Sequence, residues 1–161
     1  MTPASPAVTL RPLPRLDYHD SRAIVLPRPV TPLEAWNLIS AQQGWLLRQA
    51  FRIRDAISAR FGVKRIGGFT GRQHDTVAPG DHLDFFLVED ISPDRLILTE
   101  RDRHLDVMIC LTVDGPKVTI TASVVTHNAF GRAYMLPVGL AHKVIVGSIL
   151  RRLDRALVDP A

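Results

Sequence analysis

Cysteine is almost absent from this sequence: Cys110 is the single one in 161 residues. That excludes an internal disulfide framework and a four-cysteine zinc site, and it fits a reducing compartment. Aromatic residues are also scarce, at 6%, too few for a surface on which nucleic-acid bases stack. The N-terminus has no apolar stretch of the kind a secretory signal needs. The most apolar segment, 133–150, is interrupted by Pro137, His142 and Lys143 and reads as too short and too broken to span a membrane. No P-loop, nucleophile elbow, paired-carboxylate motif, zinc-ligand spacing or G-x-G-x-x-G fingerprint occurs. The expectation is a cytoplasmic protein with no metal, no cofactor, and neither nucleic acid nor membrane as a partner.

What is present is globular. Hydrophobic residues make up 46% and charged residues 22%, near the average for soluble domains, and one domain is expected at this length. The net charge of +4 is local in origin. Segment 45–65 carries Arg48, Arg52, Arg54, Arg60, Lys64 and Arg65 against Asp55, whereas 81–106 is rich in acids. A basic helix of this kind can meet phosphates or simply be a solvated face.

Seven of the 12 prolines lie in the first 32 residues. Proline fixes φ and removes a donor, so 1–16 should be extended or poorly ordered and add little to stability. A first strand fits 18–26. Thr31-Pro32-Leu33-Glu34 is a helix start, with Thr31 as cap and Glu34 completing a capping box. A second helix runs over 45–61, with Leu46, Leu47, Ala50, Phe51, Ile53, Ile57 and Phe61 at helical spacing and Gly62 as the stop. Residues 63–80 are glycine-rich loop. Strand-like runs then follow at 83–89, 96–101, 104–113 and 118–126, separated by turn sequences short enough to require antiparallel neighbours. A long helix from about 130 to 157 closes the chain, with Met135, Val138, His142, Ile145, Val146, Ile149 and Leu153 as its apolar stripe.

A sheet with one apolar face needs a partner, and the last helix offers a matching stripe. The fold class is therefore α+β, with residues 17–158 as a single domain. The order of elements resembles the helix-grip fold of the Bet v 1 and START-like (SRPBCC) superfamily, a curved antiparallel sheet wrapped around a long C-terminal helix. More specifically, Arg54-Asp55, Asp102-Arg103-His104-Leu105-Asp106, His127-Asn128, Gly131-Arg132 and Tyr134 resemble a bacterial family catalogued as domain of unknown function 2867, over about residues 17–153. Ala141-His142 departs from the aromatic-His pair expected there. The resemblance implies the fold and a ligand cavity between sheet and helix, and implies no particular activity.

The hairpin 104–126 can be registered by matching apolar faces. Leu105, Val107, Ile109, Leu111 and Val113 line one side of its first strand, and Val118, Ile120, Ala122 and Val124 one side of its second. Aligning them pairs Val113 with Val118, because a one-residue slip would turn one set to the wrong side. The same register sets His104 opposite His127 with Asp106 diagonal to it, and Asn128, Arg132 and Tyr134 follow directly. These groups could perform acid–base chemistry, bind a divalent metal (though no H-x-E or H-x-x-x-H spacing supports one), recognise a ligand, or brace the strand-to-helix corner. Alternation places Asp106 opposite the aliphatic side, so the cluster reaches a cavity only if the strand twists or bulges near 102–104. His142 on the last helix, and Arg54 and Asp55 on the second, complete the candidate ligand-binding set. The expected function is binding of a small apolar or amphipathic molecule. A cofactor-independent enzyme using the His/Asp cluster and a protein-interaction module are the alternatives.

Overall fold

The structure is a computed structural model and describes residues 5–42, 44–61 and 68–158. The chain runs β1 (Tyr18–Val25), α1 (Pro32–Ala41), α2 (Trp45–Arg60), β2 (His82–Leu83), β3 (Phe86–Ser92), β4 (Arg95–Arg101), β5 (Leu105–Asp114), β6 (Lys117–Thr126) and α3 (Ala129–Val158). The expected stop of the second helix at Gly62 lies outside the described residues.

Thr31 caps α1 by accepting from the Glu34 amide at 3.1 Å, with Pro32 in the first turn. The reciprocal half of the expected capping box is not made. The Glu34 carboxylate instead accepts from Arg28 at 2.6 Å, because a guanidinium is a stronger donor than a single amide.

All strand pairs are antiparallel, in the order β1-β6-β5-β4-β3-β2. The hairpin register is the one face matching requires: Val113 faces Val118 and Leu105 faces Thr126. The run expected at 83–89 is two strands. Asp84, with φ 57°, makes a tight turn between β2 and β3, a left-handed conformation that a short polar side chain tolerates. The β3 register then shifts between Val88 and Asp90, a bulge that lets Val88 and Ile91 both oppose the aliphatic side of β4.

Period-two alternation sorts the sheet into two faces. Leu96, Leu98, Leu111, Val113, Val118 and Ile120 lie in one core with Trp36 and Ile39 of α1 and Val146, Ile149 and Leu153 of α3. The result is a helix layer on an open antiparallel sheet, a helix-grip-like α+β fold.

The opposite face is covered by the start of the chain. Val8 and Leu10 pack against Ile97, Met108 and Cys110. The Val8 amide points at the Cys110 sulfur at 3.4 Å, and the Leu10 amide donates to Ser123 at 3.1 Å. The Ser5 amide donates to Asp94 at 2.7 Å. The segment is extended, as proline demands, yet it is docked. Proline lowers the entropy lost on docking, and the few apolar side chains that it has reach a sheet face that would otherwise be wet.

At the other end of the hairpin the chain turns sharply into α3. Asn128 accepts the Gly131 amide at 2.9 Å through its side-chain oxygen, an N-terminal cap. A Cβ on Gly131 would run into the His104 carbonyl, which already accepts the His127 amide at 2.8 Å.

Two outcomes follow for stability. Gly131→Ala should cost about 1–3 kcal/mol, seen as a lower urea midpoint with unchanged slope, since the carbonyl it meets is held in the sheet. Removing residues 1–10 should lower Tm by about 3–6 °C, the equivalent of about 1–2 kcal/mol at this size. It should also make Cys110, fully buried in the intact chain, reactive toward a thiol reagent. An unchanged labelling rate would show that the segment does not cover the sheet.

Candidate functional site

Between the helix-side face of the sheet, α2 and α3 lies a pocket of about 150 Å³. Its walls are apolar: Val107 from β5, Ala122 and Val124 from β6, and Met135 and Val138 from α3. Polar groups gather at its two ends.

One end is built around the turn before β5. Asp102 accepts the His104 amide at 2.6 Å and the Leu105 amide at 2.9 Å through one oxygen, a side-chain turn that ends strand alternation ahead of His104. Freed from alternation, the His104 ring lies against Phe130, with centroids 4.6 Å apart, and lines the pocket. The Gly131 amide fixes the Asn128 side chain, so its NH₂ faces His104 Nδ1 at 2.9 Å. Nδ1 of the neutral ring is then the acceptor and Nε2 carries the hydrogen. Arg103 Nε, 3.2 Å from that Nε2, is therefore a close neighbour and not a second donor.

Tyr134 and Arg54 complete this end. Burial pushes the Tyr134 phenol up, and a hydrogen bond from the Arg54 guanidinium partly offsets it. Arg54 also pairs with Asp55 at 3.2 Å. Glu100 and Asp102 also line the pocket.

The other end is a pair that sequence reasoning half missed. Tyr18 of β1 lies opposite Val124, so its ring points to the helix side. Its hydroxyl is 3.1 Å from His142 Nδ1 and 3.3 Å from the Gly139 carbonyl, and the two rings meet edge to face. Burial pushes the Tyr18 phenol up to about 12, with Asp20 adding to the effect. The same burial lowers the His142 pKa, so the imidazole is neutral near pH 7. A neutral His–Tyr pair can give or take one hydrogen bond from a ligand without bringing a charge into the pocket.

The remaining candidates lie elsewhere. Asp106 faces the opposite side of the sheet and pairs with Arg101 at 3.1 Å and with His127 Nε2 at 3.1 Å. His127 and Arg132 are exposed. The backbone joins His104 to His127, as the register requires, but the Asp102 turn sends their side chains to different faces. Asn128 acts on the pocket through His104. Tyr18 and Glu100 were not singled out in the sequence, and Asp102 stood out only as part of the family motif, not as a site residue. Tyr18 could have been found by extending the face match to the first strand, and Asp102 by its turn position.

Among the described residues no group of His, Cys, Asp and Glu is arranged to hold a metal ion. Among the described residues one helix, α3, is long and apolar enough to cross a membrane by length and composition. Its inner side is packed on the sheet.

Fold and site together define a helix-grip-like α+β protein with a small, two-ended pocket between sheet and terminal helix. The chain belongs to the family described as Protein of unknown function (DUF2867), whose profile matches residues 12–149. No curated protein and no solved structure matches the chain.

The pairing of half-buried Asp106 with exposed partners has an energetic consequence. Asp106→Asn should cost about 1 kcal/mol or less, because its partners are solvent-accessible, and a Tm drop of more than about 4 °C would contradict that. His142 sets a pH response. Its folded-state pKa lies below the unfolded value of about 6.5, so protons bind the unfolded chain better. The stability it contributes is complete above about pH 6.5 and is lost as pH falls below that value. Relative to His142→Gln, the wild type should lose Tm between about pH 7 and pH 5. Parallel Tm curves for the two proteins would rule out a depressed His142.

Proposed function

We propose that this protein binds a small, partly apolar molecule in the pocket between sheet and α3, as members of the Bet v 1 and START-like superfamily that its sequence resembles often do. The observation that carries the reading is the pocket's composition: apolar walls between two polar ends, Arg54–Tyr134–His104 and Tyr18–His142. A space of about 150 Å³ is the size of a cavity that takes up one benzene ring. The bound part is therefore about one ring, carrying a hydroxyl or similar group for the polar ends.

p-Cresol is a suitable probe. At tenfold excess over Kd it should stabilise the protein by about 1.4 kcal/mol, some 3–5 °C in Tm. Val107→Phe fills the space from β5 and should abolish that shift while leaving the far-UV circular dichroism unchanged. No shift at millimolar p-cresol, or an equal shift in both proteins, would exclude the pocket as its site.

A further inference from the structure

We propose that the outer side of α2 and α3 docks on an anionic lipid surface. The starting observation is that α3 is apolar on two sides. Val146, Ile149 and Leu153 are spent on the core. Leu136, Leu140 and Val144, spaced four apart and therefore on one line along the helix, point away from it, with exposures of 74%, 71% and 59%. Ala133, Pro137 and Ala141, interleaved with them, are exposed too. An outward apolar line flanked by cations is the pattern of a helix that lies in a lipid interface, and among the described residues nothing covers this side.

The neighbouring helix extends the surface. Phe61 touches Phe130 at 4.8 Å between centroids, and Arg54 reaches Tyr134. The two helices therefore lie side by side. Ile53 and Ile57 of α2, spaced one turn apart, are exposed at 60% and 38%. Exposed apolar side chains on two adjacent helices mark an interaction site.

Charge selects the occupant. In its 30 residues α3 has a single acid, Asp154, against Arg132, Lys143, Arg151, Arg152 and Arg155. On α2, Arg52 and Arg60 are exposed, and its one acid, Asp55, is held by Arg54. A second copy of the chain would bring like charge against like charge. Phosphate headgroups around an acyl layer complement both the cationic rim and the apolar centre. The sequence expectation of no membrane partner rested on the interruption of 133–150 by Pro137, His142 and Lys143, which argues against a span and leaves an interfacial helix untouched. The outward stripe of α3 is recognisable as such once the sheet has claimed the other side.

Co-sedimentation of the full chain with vesicles tests this. The protein should pellet with phosphatidylcholine vesicles containing about a third phosphatidylglycerol, and not with phosphatidylcholine alone. Raising salt from about 0.05 M to 0.5 M should release most of it. The double variant Leu136→Ser/Leu140→Ser should partition at least about tenfold less, and Lys143→Glu/Arg151→Glu should also bind less. Both should retain wild-type circular dichroism, since all four positions are exposed. Failure to pellet with the anionic vesicles at low salt overturns the proposal. So does undiminished binding of the double leucine variant. A wild-type dimer in solution that the leucine substitutions dissociate would overturn it as well, by making a second copy the occupant.

Discussion

The pairing of β5 with β6 is the constraint on which the rest of the molecule hangs. Ten residues of each strand are locked in one register, and because side chains alternate, that register decides which groups meet the helices and which meet the N-terminal segment. Leu111, Val113, Val118 and Ile120 join the main core, whereas Met108 and Cys110 form the smaller core under Val8 and Leu10. A slip by one residue would expose one set and bury threonines against α3.

The pocket depends on how that hairpin ends. Asp102 gathers two amides, His104 leaves the alternation, and Asn128 bonds the His104 ring while capping α3. Gly131 admits the His104 carbonyl, which a Cβ at that position would meet. A handful of backbone bonds thus aims a side chain into the space between layers, while Asp106, two residues on, stays with Arg101 and His127 on the far side. Scarcity of aromatics is consistent with this plan. All six phenylalanines make ring contacts, and those at 85, 86 and 130 border the pocket.

Packing also explains why the pocket stays polar at both ends without carrying buried unpaired charge. Arg54 is satisfied by Asp55 and Tyr134. Tyr18 and His142 satisfy each other, and burial favours their neutral forms.

Local sequence carried most of the architecture. Switching period from helical at 45–61 to two at 83–126 and back again after 130, with Thr31-Pro32 and Asp114-Gly115 as punctuation, was enough for the helices, the antiparallel meander and the Val113–Val118 register, but not for the split of 83–89 into β2 and β3. These are decided by neighbours in the chain or by one face of one hairpin. The site was legible only in part. His104, Tyr134, Arg54 and His142 stand out as polar groups at structured positions, but Tyr18 becomes their neighbour only because β1 crosses the sequence to pair with β6. Asp106 parts from His104 because of a side-chain turn that periodicity does not register. The docking of 5–10 and the outward apolar line on α3 likewise follow from which surfaces the assembled layers leave uncovered. That is a property of long-range packing, and no window along the chain contains it.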